Sequence, residues 1–314
     1  MQISTDDVLA AWDGLESRRI AANGIDLLVR SGGVGDGSRP PVVLCHGFPE
    51  LGFSWRHQIA PLLAAGYRVL VPDLRGYGGS SRPEDPAAYD IVSLTGDLVG
   101  LLDAEGAEDA VFVGHDWGAA VVWNLALLHP ERVRAVAGLS VPPTPHAPVA
   151  PLSVFRSRLG DDFYLCWFQQ VGVADAALRT DVRRTLLARE LYSPAWAARG
   201  EPADPLPRWL TERELAVYVD EFEAHGFTGG LNYYRNIDRN WELTAPFAGK
   251  TIDRPALYVI GSKDPVGRFT PVDRLDSLLT DLREHLVVEG AGHWIQQERP
   301  DEVNAALLRF LASL

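Results

Sequence analysis

Several short runs of this chain are apolar at every position. "VVLC" at residues 42–45 is continuous, and "VLVP" (69–72), "AVFV" (110–113) and "ALYVI" (256–260) repeat the pattern. A strand with one wet face alternates apolar and polar residues, so unbroken runs of this length belong to a parallel sheet covered on both faces. Between them lie stretches with helical patterning, near residues 54–65 and 94–104. "WGAAVVWNLALLHP" is apolar nearly all round and so reads as a buried helix that stops before Pro130. Upstream, "RRIAANG" and "IDLLVR" read as a hairpin turned at Asn23-Gly24.

The rhythm breaks once. "PPTPHAPVAPLSVF" is a proline-rich connector, and the residues from about 145 to 240 are helical and aromatic without a buried-strand pattern. Alternation then resumes with "RPALYVIGSKD", a helix expected around 273–280, "EHLVVEGAGH" and a closing helix from Pro300. This order predicts an α/β protein with a mostly parallel, doubly wound sheet and an inserted helical cap. The core domain is expected over residues 1–143 and 242–314, and the cap over 144–241.

The chain carries a formal charge of −13 and has a sequence pI near 5.0, which argues against nucleic acid or an anionic membrane as partner. Its two cysteines, Cys45 and Cys166, lie in apolar runs and read as buried thiols of a reducing compartment. The first residues lack the basic flank and apolar core of a signal peptide, and no apolar run approaches the roughly 18–20 residues that span a bilayer. A cytoplasmic protein is expected. The eight histidines form no metal-ligand spacing and "RGYGGS" follows no nucleotide-binding pattern, so neither metal nor cofactor is expected.

"GHDWG", residues 114–118, follows one apolar strand and opens the buried helix. Small residues flanking a central nucleophile match the strand-to-helix elbow of hydrolases, but the middle position holds Asp116 instead of serine. Asp264 follows the strand ending in "YVIG", and His293 follows "LVVEGAG". Nucleophile, acid, histidine is the α/β-hydrolase chain order, with each residue at the carboxyl end of a strand. "HGFPE" at 46–50 occupies the loop that supplies an oxyanion donor, so the backbone N–H groups of Phe48 and Trp117 are the expected pair. His46 reads as a structural residue of that loop. A carboxylate at the elbow can displace at saturated carbon and leave a hydrolysable ester, whereas serine would leave a stable ether.

From "HGFPE" through "DLRGYGGS" and "GHDWG" to "GSKDPV" and "GAGHW", the chain resembles the epoxide hydrolase family of α/β-hydrolases. Those motifs are shared with haloalkane dehalogenases, which stand as the alternative and also use an Asp nucleophile. The insertion separates the two. An opening epoxide generates a basic alkoxide that needs a proton donor, and tyrosine remains protonated at neutral pH; a departing halide needs no proton. The resemblance aligns Tyr164, in "DDFYLCWFQQ", and Tyr234, in "GGLNYYRN", with the family's epoxide-oxygen donors. Dehalogenases commonly place Asn where Phe48 stands, and fluoroacetate dehalogenases place Arg where Trp117 stands.

The resemblance thus implies a small hydrophobic epoxide as substrate, opened to a vicinal diol through an Asp116 ester, with His293 as base and Asp264 as its partner. Phe48, Trp117, Trp294 and Tyr233 are expected to line the substrate pocket. A monomer or a homodimer fits this reading. A retired scaffold serving only to bind ligands is disfavoured by the intact Asp116, Asp264 and His293.

Overall fold

The computed structural model describes residues 5–34, 39–268 and 272–314. Eight strands form one sheet: β1 Glu16–Ala22, β2 Ile25–Gly32, β3 Val42–Cys45, β4 Val69–Pro72, β5 Ala110–His115, β6 Val133–Leu139, β7 Ala256–Gly261 and β8 Leu282–Val288. Their spatial order is β1-β2-β4-β3-β5-β6-β7-β8. β1 and β2 pair antiparallel, as do β2 and β4, and every other pairing is parallel. The hairpin turns where expected, with both Asn23 and Gly24 at positive φ, the combination a tight two-residue turn requires.

The helices in chain order are α1 Thr5–Asp13, α2 Arg56–Ala64, α3 Ile91–Glu105, α4 Trp117–Leu128, α5 Pro151–Leu159, α6 Tyr164–Trp167, α7 Val173–Arg179, α8 Val182–Leu186, α9 Pro194–Arg199, α10 Glu212–His225, α11 Thr228–Arg235, α12 Ile237–Thr244, α13 Leu275–Leu278, α14 Ile295–Glu298 and α15 Pro300–Ala312. The helix expected around 273–280 is a single turn, α13, preceded by a 3-10 turn at Val272–Arg274. Residues 269–271 lie outside the described ones. α1 has no counterpart in the sequence reading. Among the described residues, no helix is long and apolar enough to cross a membrane.

The chain divides into two compact units. One comprises Met1–Ser81, Ser93–Pro145 and Phe247–Leu314 and carries the sheet; the other comprises Arg82–Val92 and His146–Pro246 and is helical. Within the sheet unit, β3, β4, β5 and β7 are buried at every position. That burial is why these strands read as unbroken apolar runs. From β3 the chain steps to one side to form β4, then returns to the other side for β5. The carboxyl ends of β3 and β5 therefore flank the point where winding reverses, which is where open α/β sheets place their chemistry.

The elbow after β5 depends on close backbone contact. Asp116 precedes α4 with φ 50° and ψ −118°, a conformation that costs a non-glycine residue on the order of 1–3 kcal/mol. A Cβ on Gly118 would lie 2.1 Å from the Cys45 carbonyl oxygen, so only glycine lets the first turn of α4 settle against the end of β3. A Cβ on Gly47 would lie 2.4 Å from that of Asp116. Gly118→Ala must push backbone apart, and we expect the thermal midpoint to fall by about 5 °C or more. Differential scanning calorimetry of the purified variant checks this.

Candidate active site

The sheet unit brings Asp116, Asp264 and His293 together from three strand ends. His293 Nδ1 lies 3.0 and 3.1 Å from the two Asp264 carboxylate oxygens, and Nε2 lies 3.5 Å from Asp116 Oδ2. The other Asp116 oxygen, Oδ1, accepts the Phe48 backbone N–H at 2.8 Å. The Phe48–Pro49 peptide in this loop is cis. Trp117 opens α4, so its N–H belongs to the first turn, where amides have no intrahelical acceptor. The imidazole therefore sits between two carboxylates, and the elbow carboxylate sits between an imidazole and an amide.

Electrostatics follow from that arrangement. Burial alone would lower the His293 imidazole; the Asp264 charge, with Asp116 close behind, overrides it and holds the group well above its ordinary value. Asp264 is buried, which alone would raise its carboxyl. The His293 charge and hydrogen bond, the Val266 N–H and the Ser140 hydroxyl outweigh that burial and hold it below the ordinary range.

The loop bearing His293 is held from both sides. Glu298 accepts the backbone N–H groups of Gly292 and Trp294 at 2.8 and 3.0 Å. The Trp294 ring stands edge-on to the His293 ring at 4.8 Å. His46 is fully buried; its Nε2 accepts the Leu74 N–H at 3.0 Å and its Nδ1 donates to the Gly47 carbonyl, a structural placement.

Sequence reading passed over a buried polar network beneath these residues. Glu50, the last residue of "HGFPE", is 1% exposed and accepts from the Gly47 N–H, from His115 Nδ1 at 2.7 Å, and from Gln296 and Gln297. His115 Nε2 in turn donates to the His293 carbonyl at 2.8 Å. A carboxylate inside a loop flanked by apolar runs was the available signal; its partners, about 65 and 246 residues away, leave no local pattern.

The expected tyrosines lie in the helical unit, where they form one aromatic cluster. The Tyr164 and Tyr234 rings meet edge-on with centroids 6.0 Å apart, and Phe168 packs against both. Reciprocal bonds tie their backbones: Gln169 Nε2 donates to the Tyr234 carbonyl at 3.0 Å, and Arg235 Nε donates to the Phe168 carbonyl at 3.1 Å. Arg235 is itself paired with Asp175. Tyr233 is fully buried against Tyr89.

The family model for the alpha/beta hydrolase fold matches residues 40–300. Epoxide hydrolase A of Mycobacterium tuberculosis is 52% identical, over 95% of this chain and 97% of that protein. The chain belongs to the epoxide hydrolases of the α/β-hydrolase fold. Epoxide hydrolase 1 of Siraitia grosvenorii is 42% identical over 95% of this chain and 98% of its own. The crystal structure of epoxide hydrolase A from Mycobacterium thermoresistibile superposes with a TM-score of 0.88 at 51% identity, covering 95% and 98% of the two chains. An epoxide hydrolase of Vigna radiata gives 0.89 at 38%, over 96% and 99%. These family members disfavour the dehalogenase alternative.

The charges on His293 set a pH dependence of stability. Its folded pKa is raised, so its pairing stabilises the protein fully below its unfolded value of about 6.5 and is lost as pH rises through the folded value. Asp264 acts in the opposite sense: its lowered carboxyl stabilises above about pH 4 and loses that effect as pH falls through its folded value. Urea unfolding should therefore show this contribution declining as pH rises above about 6.5, with a smaller decline in Asp116→Asn, which lacks one of the two charges that raise His293.

Proposed function

We propose that this protein hydrolyses a small hydrophobic epoxide to a vicinal diol through an ester on Asp116. The observation that carries the reading is the single line of contacts Asp264–His293–Asp116, with the Phe48 N–H on the same elbow carboxylate. Asp116 Oδ attacks a ring carbon; the carbon–oxygen bond breaks, and the ring oxygen takes a proton as it leaves. Tyr164 and Tyr234 are assigned to that oxygen as phenol donors. Water then attacks the ester carbonyl while His293, oriented by Asp264, removes its proton. The Phe48 and Trp117 N–H groups hold the oxyanion. Collapse returns the Asp116 carboxylate and releases the diol.

The raised imidazole fits this sequence of steps. With Asp116 ionised, His293 holds its proton between two carboxylates. Esterification removes the Asp116 charge, and with it one of the groups raising His293. The imidazole can then pass the proton it holds to the phenolate left by ring opening, and it stands neutral to take one from water only once there is an ester to hydrolyse. Phe48, Trp117, Trp294 and Tyr233 are assigned to the apolar walls around the substrate. Residues 144–241 are read as the cap domain, and 1–143 with 242–314 as the core domain. A cytoplasmic setting, with the chain acting as monomer or homodimer and without metal or cofactor, completes the reading.

With styrene oxide and 1-bromobutane supplied in parallel, diol should form and bromide should not. In a single turnover in ¹⁸O-water, label should enter Asp116 and leave the diol unlabelled; label in the diol would exclude the ester route. Asp116→Ala should yield no diol above background.

Tyr164→Phe and Tyr234→Phe should each slow ester formation about 10- to 100-fold, since each retains one of two donors. Stopped-flow tryptophan fluorescence measures that step, and an unchanged rate in both would remove the pair from the chemistry.

A further inference from the structure

Ser140 directly follows β6 with φ 67°, one of few non-glycine residues in the left-handed region among the described ones, and it is fully buried. The Val141 N–H donates back to the Leu139 carbonyl at 2.8 Å across it, closing a three-residue turn of the rare, strained kind. Strain of this sort persists only where surrounding bonds hold it. Here the Ser140 N–H donates to Val259, and the Ser140 carbonyl accepts the Tyr258 hydroxyl at 2.9 Å, both from β7. The turn aims the Ser140 side chain at the base: its hydroxyl donates to the His293 carbonyl at 2.8 Å. That carbonyl also receives His115 Nε2 at 2.8 Å. The backbone of His293 is thus gripped by a donor from the end of β5 and another from the end of β6.

We infer that Ser140 is a positioning residue for ester hydrolysis, its strained turn holding the hydroxyl that fixes the His293 backbone and steadies the Asp264–His293 pair. The inference rests on the ester mechanism proposed above. A hydroxyl has one proton, so it serves the His293 carbonyl or Asp264 at any moment; the Asp264 carboxyl is held low partly through this hydroxyl. The Ser140 hydroxyl is directed to His293 and Asp264, whereas the Asp116 N–H donates to the neighbouring Leu139 carbonyl at 3.3 Å. Its removal should therefore spare the attack on the epoxide and slow the step that His293 performs.

The test uses Ser140→Ala and Ser140→Gly, the second relieving the backbone strain while also lacking the hydroxyl, with His293→Gln as a trap control. Rates are normalised to folded protein, and the reaction with styrene oxide is quenched and weighed by intact-protein mass spectrometry. Both Ser140 variants should carry more substrate-mass adduct at steady state than wild type. Their kcat and KM should fall together by about tenfold, while single-turnover ester formation stays within about twofold. A merely structural role would leave the adduct fraction at the wild-type level and so overturn the inference. Adduct in only one of the two folded variants would also overturn it, since both lack the hydroxyl. Should Ser140→Ala not fold, Ser140→Gly decides alone. If His293→Gln traps adduct and the Ser140 variants do not, only the inference fails. If no variant traps adduct, the ester mechanism fails with it.

Discussion

Everything at the carboxyl edge of the sheet depends on how closely the first turn of α4 lies against the end of β3. Gly118 leaves no Cβ to strike the Cys45 carbonyl, and Gly47 leaves none to strike Asp116. The two loops consequently interleave at the point where winding reverses. Asp116 is forced into positive φ there, and its carboxylate is delivered onto the Phe48 amide. A looser turn would relax the backbone and withdraw the carboxylate from both of its partners.

Once placed, the carboxylate determines the electrostatics of its neighbour. His293 is a histidine whose burial and charge partners pull in opposite directions, and the partners prevail. The geometry that enforces this is not carried by the two acids alone. Glu50 and His115 link the loop of residues 46–50 to the His293 backbone, Glu298 closes the loop after β8, and Ser140 adds a third anchor. Precision at the imidazole thus comes from main-chain carbonyls and amides being held, with the aspartates working on a ring that is already located.

The parallel strands were legible because burial on both faces leaves no room for polar residues, and the elbow was legible because its glycines stand at fixed offsets from Asp116. Asp264 and His293 were found because each follows an apolar strand. What escaped reading depends on contacts between distant segments. Glu50 looks like a loop carboxylate until Gln296 and Gln297 are brought to it. Ser140 looks like an ordinary strand end, since no sequence signal marks a serine at positive φ. The stretch near 273–280 failed for a different reason: its apolar spacing suits a helix, yet only one turn forms between the strand-bearing segments. α1 escaped reading although acidic residues, Asp6 and Asp7, mark its first turn.

The tyrosine pair in the helical unit is separated by 70 positions along the chain, yet its spacing is fixed by two short-range bonds, Gln169 to the Tyr234 carbonyl and Arg235 to the Phe168 carbonyl. Both bonds join the Phe168-Gln169 stretch after Tyr164 to Tyr234 or to the Arg235 beside it. The segment between them, from α7 to α10, is a closed loop whose ends are already stapled. Its length and composition can drift without altering the distance between the two phenols. A fold built this way can hold two phenols at one separation while the surrounding helices change, so that a local geometry and the outline around it need not vary together.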